Sequence, residues 1–347
     1  MTGWQNPGVL AAFAAAVLFG ASTPAAKLLL GTTTPWLLAG LFYLGSGLGL
    51  FVLRLVNRAP GARVAANERV WLAGAIAAGG IVAPVLLLYG LARMPASGAS
   101  MLLNAESLFT ALIAWFAFKE HFDRRIAIGM LAIIAGAAVL SWPGDAEFGS
   151  AWPALAVIGA CFAWGIDNNL TRRVSLSDAT FVAMVKGLVA GTVNSVLAFA
   201  VSPTAPPVPA LAASLFVGFF SYGLSLTLFV VALRHLGTAR TSAYFSTAPF
   251  VGAAVAVALL GEAVTWQFGV AAILMAVGVW LHLSERHEHK HRHEALEHTH
   301  EHDHDEHHQH AHDKPVQPGA RHTHSHRHEP LTHAHPHFPD AHHRHRH

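Results

Sequence analysis

Residues 97–120 read SGASMLLNAESLFTALIAWFAFKE. From Ser97 to Phe118 every side chain is apolar or small except a few polar ones, and only Glu106, near the middle, is ionisable. At ~1.5 Å per residue such a helix is long enough to cross the ~30 Å hydrocarbon core of a bilayer. A carboxylate at that depth costs roughly 2.5–3.5 kcal/mol on insertion scales, so it is kept where it faces protein or a wet cavity.

The stretch has an echo 142 residues later, RTSAYFSTAPFVGAAVAVALLGE, where Gly98 falls on Arg240 and Glu120 on Glu262. Ser100 falls on Ser242, Asn104 on Ser246, Ser107 on Pro249 and Ala111 on Ala253. The spacings of four, three and four put these positions on one helix face. That face is small and polar in both copies, as in a membrane helix that packs inside a bundle or lines a path. A plain packing seam would look the same, but packing does not require Glu106.

Composition points the same way. The 347 residues are 53% hydrophobic and 12% charged, against roughly 25% charged in a soluble domain. Residues 286–347 hold 8 of the 22 Lys and Arg and 10 of the 20 Asp and Glu, so the formal charge of +2 averages two unlike pieces. The single cysteine, Cys161, excludes an intrachain disulfide and a thiolate metal cluster.

Ten hydrophobic segments precede the tail, near 7–29, 35–54, 70–91, 97–118, 125–142, 151–171, 179–201, 211–233, 239–260 and 264–283. The first has no basic residue ahead of it and reads as a retained helix, not a signal peptide. With a cytosolic N-terminus, the inner loops hold Arg54, Arg58, Arg63, Arg69, Lys119, Arg124, Arg125, Arg172, Arg173, Arg234 and Arg240, and the outer loops only Arg93. That bias sets the orientation. Ten spans return the C-terminus to the cytosol.

The repeat also pairs Leu91 with Leu233 and Gly136 with Gly278, and at an offset of 145 pairs Lys27 with Arg172. Each half holds an odd number of spans, so the second enters from the opposite face. The expected fold is an all-α integral membrane protein of ten transmembrane helices in two inverted five-helix repeats, 1–145 and 146–285, followed by a disordered His-rich tail, 286–347. That topology places a substrate site at mid-membrane between the halves.

The polar residues inside the spans are the candidate cavity: Glu106, Lys186, Asn104, Asp167, Asn168, Tyr244 and Lys27. Glu106 and Lys186 are expected to face a common cavity with Asn104, Asn168 and Tyr244 nearby. Asp167 has Arg172 or Lys186 as a partner. Lys27, close to a helix end, has the alternative of snorkelling to the interface. A buried ion pair that only sets helix register is the structural alternative to a transport site.

These features together resemble the EamA family of the drug/metabolite transporter superfamily. The matching stretches are VLFGASTPAAKLLL at 17–30, LYGLARMPASGASMLL at 88–103 and YFSTAPFVGAAVAVALLGE at 244–262, and the resemblance covers about residues 8–283. It implies a basket-like ten-helix fold with a central cavity and movement of amino acids, drugs or related metabolites by alternating access. Three departures stand out. Phe42 occupies a place where the family often has Arg, with Lys186 at the corresponding place in the second half. The usual proline of helix 4 is replaced around Glu106-Ser107, while Pro249 is retained. The Gly-Glu that ends helix 4 is Lys119-Glu120, while Gly261-Glu262 survives. The first two fall where a cavity is expected, so no relative's substrate carries over.

After His282 the chain changes character, and 23 of its 26 histidines lie in 287–347. They are His287, His289, His291, His293, His298, His300, His302, His304, His307, His308, His310 and His312, then His322, His324, His326, His328, His333, His335, His337, His342, His343, His345 and His347. A shift of 35 residues lays 287–312 on 322–347, and only His304 among the first twelve misses a histidine, meeting Pro339. The composition cannot build a core and reads as disordered. His-x-His in an extended chain puts both residues on one side. Imidazoles are mostly neutral at pH 7 given a free pKa of about 6.5. Zinc, nickel, cobalt or copper is the expected ligand of the tail. A pH-responsive polycation and an inert extension are the competing readings.

The leading functional expectation is a secondary, non-ATP transporter in the plasma (inner) membrane. It exports a small organic solute and needs no cofactor for transport. The alternative is a nickel, cobalt or zinc efflux protein whose tail gathers the ion. The spans offer few ligands for it, since Glu106, Asp167 and Cys161 are at depth but His121, His235 and His282 lie at inner helix ends. A membrane sensor without transport is a third class. Nothing points to an enzyme or to nucleic-acid binding, and oligomeric state is not encoded in any motif.

Overall fold

The computed structural model describes residues 7–59, 61–62, 64–118, 124–141, 151–174, 178–229, 231–232, 244–283 and, in the tail, 288–292, 296–302, 322–328 and 332–336. Residues 1–285 form one compact unit and 286–347 a second. Lys119, Glu120, His121, Arg234, His235 and Arg240 lie outside the described residues.

The first unit is helical among its described residues. Its α-helices are α1 Pro7–Gly20, α2 Ser22–Leu29, α3 Pro35–Val56, α4 Arg69–Ala75, α5 Ala83–Leu91, α6 Ala96–Leu102, α7 Ala105–Phe118, α8 Arg124–Ser141, α9 Trp152–Thr171, α10 Ala179–Val201, α11 Val208–Val217, α12 Ala248–Leu260 and α13 Trp266–Leu283. Two π-helical turns are continuous with them, Ile76–Val82 between α4 and α5 and Gly218–Leu224 after α11. Among the described residues, six helical stretches are long and apolar enough to cross a membrane: Gly8–Leu29, Pro35–Val56, Arg69–Leu91, Ala96–Ala117, Thr180–Val201 and Val208–Phe229. Ala127–Leu140, Ala248–Leu260 and Trp266–Leu281 are shorter apolar helices. Large apolar side chains such as Phe116, Leu131, Phe216, Leu259 and Trp280 are exposed on this unit, a surface suited to lipid and costly in water.

Local chemistry sets the helix ends. The Thr34 hydroxyl accepts from the Leu37 N–H at 3.4 Å, with Pro35 first in the helix. Asp178 caps α10 by accepting from the Phe181 N–H at 3.0 Å. Gly261, in the left-handed region at φ 66°, ends α12.

Counterpart helices of the two sequence repeats lie against each other. A Cβ on Gly47 would meet the Leu188 amide at 2.5 Å, and one on Gly187 the Gly47 amide at 2.6 Å. Gly40 lies against Ser195, further toward the start of α3 and the end of α10, so the two helices run antiparallel at backbone contact. In the same way Gly136 of α8 meets Met275 and Ala271 of α13, while Gly278 meets Ile133 and Gly129. α6 packs on α12. Small residues let these backbones approach, which is how helices associate in lipid. The main apolar core runs from Leu38 and Phe42 through Leu87, Leu102 and Ile133 to Val157, Cys161 and Met275.

The tail corrects one expectation. Instead of being disordered throughout, its described residues form strands: β1 Glu288–Arg292 pairs antiparallel with β4 Thr332–Pro336, and β2 Leu296–His302 with β3 His322–His328. A strict His-x-His alternation has the period of a strand, and the two repeat copies supply each other with backbone partners. His289, His291, His298, His300, His302, His322, His324, His326, His328, His333 and His335 lie on these strands. The remaining tail histidines of the sequence reading, His287, His293, His304, His307, His308, His310, His312, His337, His342, His343, His345 and His347, lie outside the described residues.

Candidate functional site

Three helices assemble a polar cluster. On α9, Asp167 and Thr171 are four apart and share a face. The Thr171 hydroxyl donates to the Asp167 carboxylate at 2.8 Å. From α10, Lys186 Nζ donates to Asp167 Oδ1 at 2.6 Å and Oδ2 at 2.7 Å, and to the Thr171 hydroxyl at 3.3 Å. The lysine and aspartate side chains are only 16% and 7% exposed. An ion pair so far removed from water persists only with good geometry and further hydrogen bonds, and both are present.

One residue on, Asn168 turns to α7. Its side-chain amide donates to Glu106 Oε1 at 2.8 Å and to the Thr110 hydroxyl at 3.1 Å. Asn169 donates to the Thr110 carbonyl at 3.0 Å and the Gly165 carbonyl at 2.8 Å. The helix that carries Glu106 is broken just before it. It unwinds at Leu103-Asn104 between α6 and α7, and Asn104 Nδ2 closes the turn on the Met101 carbonyl at 2.9 Å. Glu106 therefore sits in the first turn of α7, the end of a helix that favours a negative charge. It lies within electrostatic reach of Asp167, Lys186, Tyr43 and Tyr222. Glu106 is half-buried, and its partner Asn168 is exposed.

The first π-turn lies against this cluster. Gly79 packs so closely on Asp167 that a Cβ there would collide with the carboxylate. Winding to i→i+5 displaces carbonyls from their regular partners, and side chains from three helices take them up. Tyr43 Oη donates to the Gly79 carbonyl at 2.6 Å and Trp164 Nε1 to the same oxygen at 3.0 Å. Asn194 Nδ2 donates to the Gly80 carbonyl at 2.9 Å. The second π-turn brings Tyr222 to the same neighbourhood, with its ring centroid 5.8 Å from Phe19, 5.7 Å from Phe42 and 5.6 Å from Tyr43.

Of the seven residues singled out from sequence, the structure brings together Glu106, Asn168, Asp167 and Lys186. Lys186 pairs with Asp167 and not directly with Glu106. The other three are placed elsewhere. Lys27 Nζ donates to the Leu91 and Met94 carbonyls, each at 2.7 Å, and so caps the end of α5. Its ammonium is taken up by these carbonyls and does not join the cluster. Glu262 completes the clamp by accepting from the Ala96 and Ser97 N–H groups at 2.6 and 2.7 Å, at the start of α6. Asn104 is buried in the helix break, with Met275 on its other side at 4.0 Å. Tyr244 packs with Phe13 at 5.9 Å and with Ala11 and Ala232. Tyr43, Thr110, Trp164, Thr171 and Tyr222 were missed. The adjacent Gly79-Gly80 inside an apolar run was the one sequence signal near them.

At an end of the same helices, Arg54 donates to Asp178 Oδ2 at 2.6 Å and stacks over the Phe181 ring at 5.6 Å. Burial pushes the Asp178 carboxyl up, but hydrogen bonds from Arg54 and the Phe181 N–H outweigh it and hold the group below its ordinary value. Among residues whose side chains the structure describes, no group of three or more His, Cys, Asp or Glu stands together as a metal site.

The EamA-like transporter family matches residues 6–142 and again 151–284. An uncharacterized transporter of Methanothermobacter thermautotrophicus is 30% identical over 294 residues, which cover 79% of this chain and 85% of that protein. A probable amino-acid metabolite efflux pump of Salmonella typhimurium is 23% identical over 207 residues, 55% of this chain and 68% of that one. A solved crystal structure superposes with a TM-score of 0.61 at 18% identity, covering 79% of this chain and 95% of the other, a likeness of fold.

Proposed function

The chain belongs to the EamA-like transporter family, and from that premise we propose that it exports a small amphoteric organic solute, an amino acid or a related metabolite, by alternating access in the plasma membrane. The observation that carries this reading is the cluster in which the Asp167–Lys186 pair and the Glu106–Asn168 pair stand side by side on α7, α9 and α10. A solute carrying both an ammonium and a carboxylate has a partner for each there. Glu106 meets the ammonium, and Lys186, released from Asp167, meets the carboxylate. The Salmonella relative's name points to amino-acid metabolites for that protein and agrees with this chemistry.

We read the bundle as ten spans in two inverted five-helix repeats with both termini cytosolic. The antiparallel contact of counterpart helices, α3 on α10 and α8 on α13, supports oppositely inserted halves. The two π-turns stand 142 residues apart, the offset of the sequence repeat, which supports the same reading. Movement is gradient-driven or facilitative. The tail takes up a transition metal, with zinc, nickel, cobalt or copper as the candidates for its imidazoles. Nothing in the described bundle favours metal as the cargo.

The test is Glu106→Gln, assayed for tolerance to a panel of amino acids and toxic analogues and for counterflow in proteoliposomes. The expected outcome is normal membrane expression with transport lost or re-specified. Wild-type transport by that variant overturns the assignment.

A further inference from the structure

We propose that the metal sites of the tail lie between its two repeat copies and not within either one. The proposal rests on the reading of the tail as metal-binding and adds where the ion sits.

The strand register carries it. β2 and β3 pair so that His298 stands opposite His326, His300 opposite His324 and His302 opposite His322. β1 and β4 pair so that His289 stands opposite His335 and His291 opposite His333. Every pair takes one histidine from 287–312 and one from 322–347. Strand residues two apart share a face, so one face of β2–β3 carries three consecutive histidine pairs, ending at Leu296 opposite His328, and one face of β1–β4 carries two. The alternate register positions of β2 and β3 are Glu297 with Arg327, Thr299 with Ser325 and Glu301 with Thr323. A slip by one residue would set histidine against those instead.

Directly opposed residues in an antiparallel ladder are about 4.5–5.5 Å apart at Cα, and successive residues on one face are roughly 6.5 Å apart. Two adjacent cross-strand pairs therefore offer up to four imidazoles within the span of one tetrahedral ion, whose nitrogen ligands lie at about 2.0–2.1 Å. Among the described residues no strand pairs with another strand of its own copy, so within them neither copy alone presents an opposed pair. Binding the ion also ties the copies together, which couples affinity to pairing of the strands.

The experiment titrates the full-length protein in detergent with zinc, and separately with nickel, in competition with a chromophoric chelator. One variant carries His298→Ala, His300→Ala, His324→Ala and His326→Ala. A control removes as many histidines from outside the four described strands: His307→Ala, His308→Ala, His342→Ala and His343→Ala. A third variant lacks residues 322–347. The first is expected to weaken the tightest site at least tenfold and the control less than threefold, and the deletion is expected to abolish that site. Equal losses in the two histidine variants overturn the proposal. So does a deletion that halves the stoichiometry at unchanged affinity, while leaving the tail a metal binder. No binding below millimolar by the intact protein overturns both the proposal and the reading beneath it.

Discussion

At the scale of single residues, the Asp167–Lys186 pair separates fold from function. Removing one partner leaves an uncompensated buried charge, so Lys186→Met alone is expected to cost about 3–5 kcal/mol. Lys186→Met with Asp167→Leu removes both charges and is expected to recover most of that loss, since an apolar pair of similar size is often neutral. Thermal unfolding in detergent reads the first effect. Solute counterflow is expected to be absent in both variants. Lys27 makes the opposite prediction. Its two acceptors are the Leu91 and Met94 carbonyls, so Lys27→Met orphans them and is expected to destabilise by about 1–3 kcal/mol. The folded fraction should transport with an unchanged KM, and a raised KM would return Lys27 to the solute path. Asp178 supplies a pH test. Its pKa is lowered in the folded state, so its contribution is present above the unfolded value of about 3.9 and is lost only as pH falls through the lower folded one. Asp178→Asn keeps a capping side chain but loses the Arg54 pair, a partly exposed contact. The expected cost at pH 7 is under about 1 kcal/mol, shrinking toward acid.

At the scale of elements, the π-turn Ile76–Val82 is the device that joins the cluster to the long apolar helices. Its displaced carbonyls draw in Tyr43, Trp164 and Asn194, and Gly79 is the one residue of the turn that leaves room for Asp167. Gly79→Ala is therefore expected to break the Lys186 pair and abolish counterflow with a lowered Tm. Gly269→Ala in α13, where a Cβ meets nothing within 4 Å, is expected to be neutral or slightly stabilising. A Gly79→Ala protein as active and stable as the parent would remove the turn from the mechanism. The break at Leu103-Asn104 was not legible in residues 97–120, which read as one helix across a membrane. A side chain such as Asn104 can sit on a helix or close a turn, and only the burial of its amide against Met101 and Met275 decided for the turn. The strand pairing of the tail was likewise hidden, because a repeat at 35 residues states that two segments are alike and not that they pair.

At the scale of the whole molecule, the proposed opposite insertion of the two halves predicts opposite accessibility for their counterpart loops. In a Cys161→Ala background, Ala205→Cys is expected to react with a membrane-impermeant maleimide on intact cells. Ala66→Cys is expected to react only after permeabilisation. Labelling of both from outside would break the inverted arrangement. Some of this architecture was readable without coordinates. Apolar runs of membrane length, the 142-residue echo and the excess of Lys and Arg on one set of loops are one-dimensional signals, set by bilayer thickness, duplication and charge. Glu106, Asp167, Asn168 and Lys186 were also marked, because an ionisable or amide group in an apolar run is conspicuous wherever it points. Which of them meet was a question of distance between helices. It turned on glycines that let α3 touch α10 and on a π-turn no composition announces. By itself the sequence determined that this is a membrane-embedded chain of duplicated halves, carrying charge at depth, with a histidine tail. Only the tertiary structure decided that Lys186 closes on Asp167 while Lys27 caps a turn, because a lysine's place in the sequence does not say which oxygens packing brings within its reach.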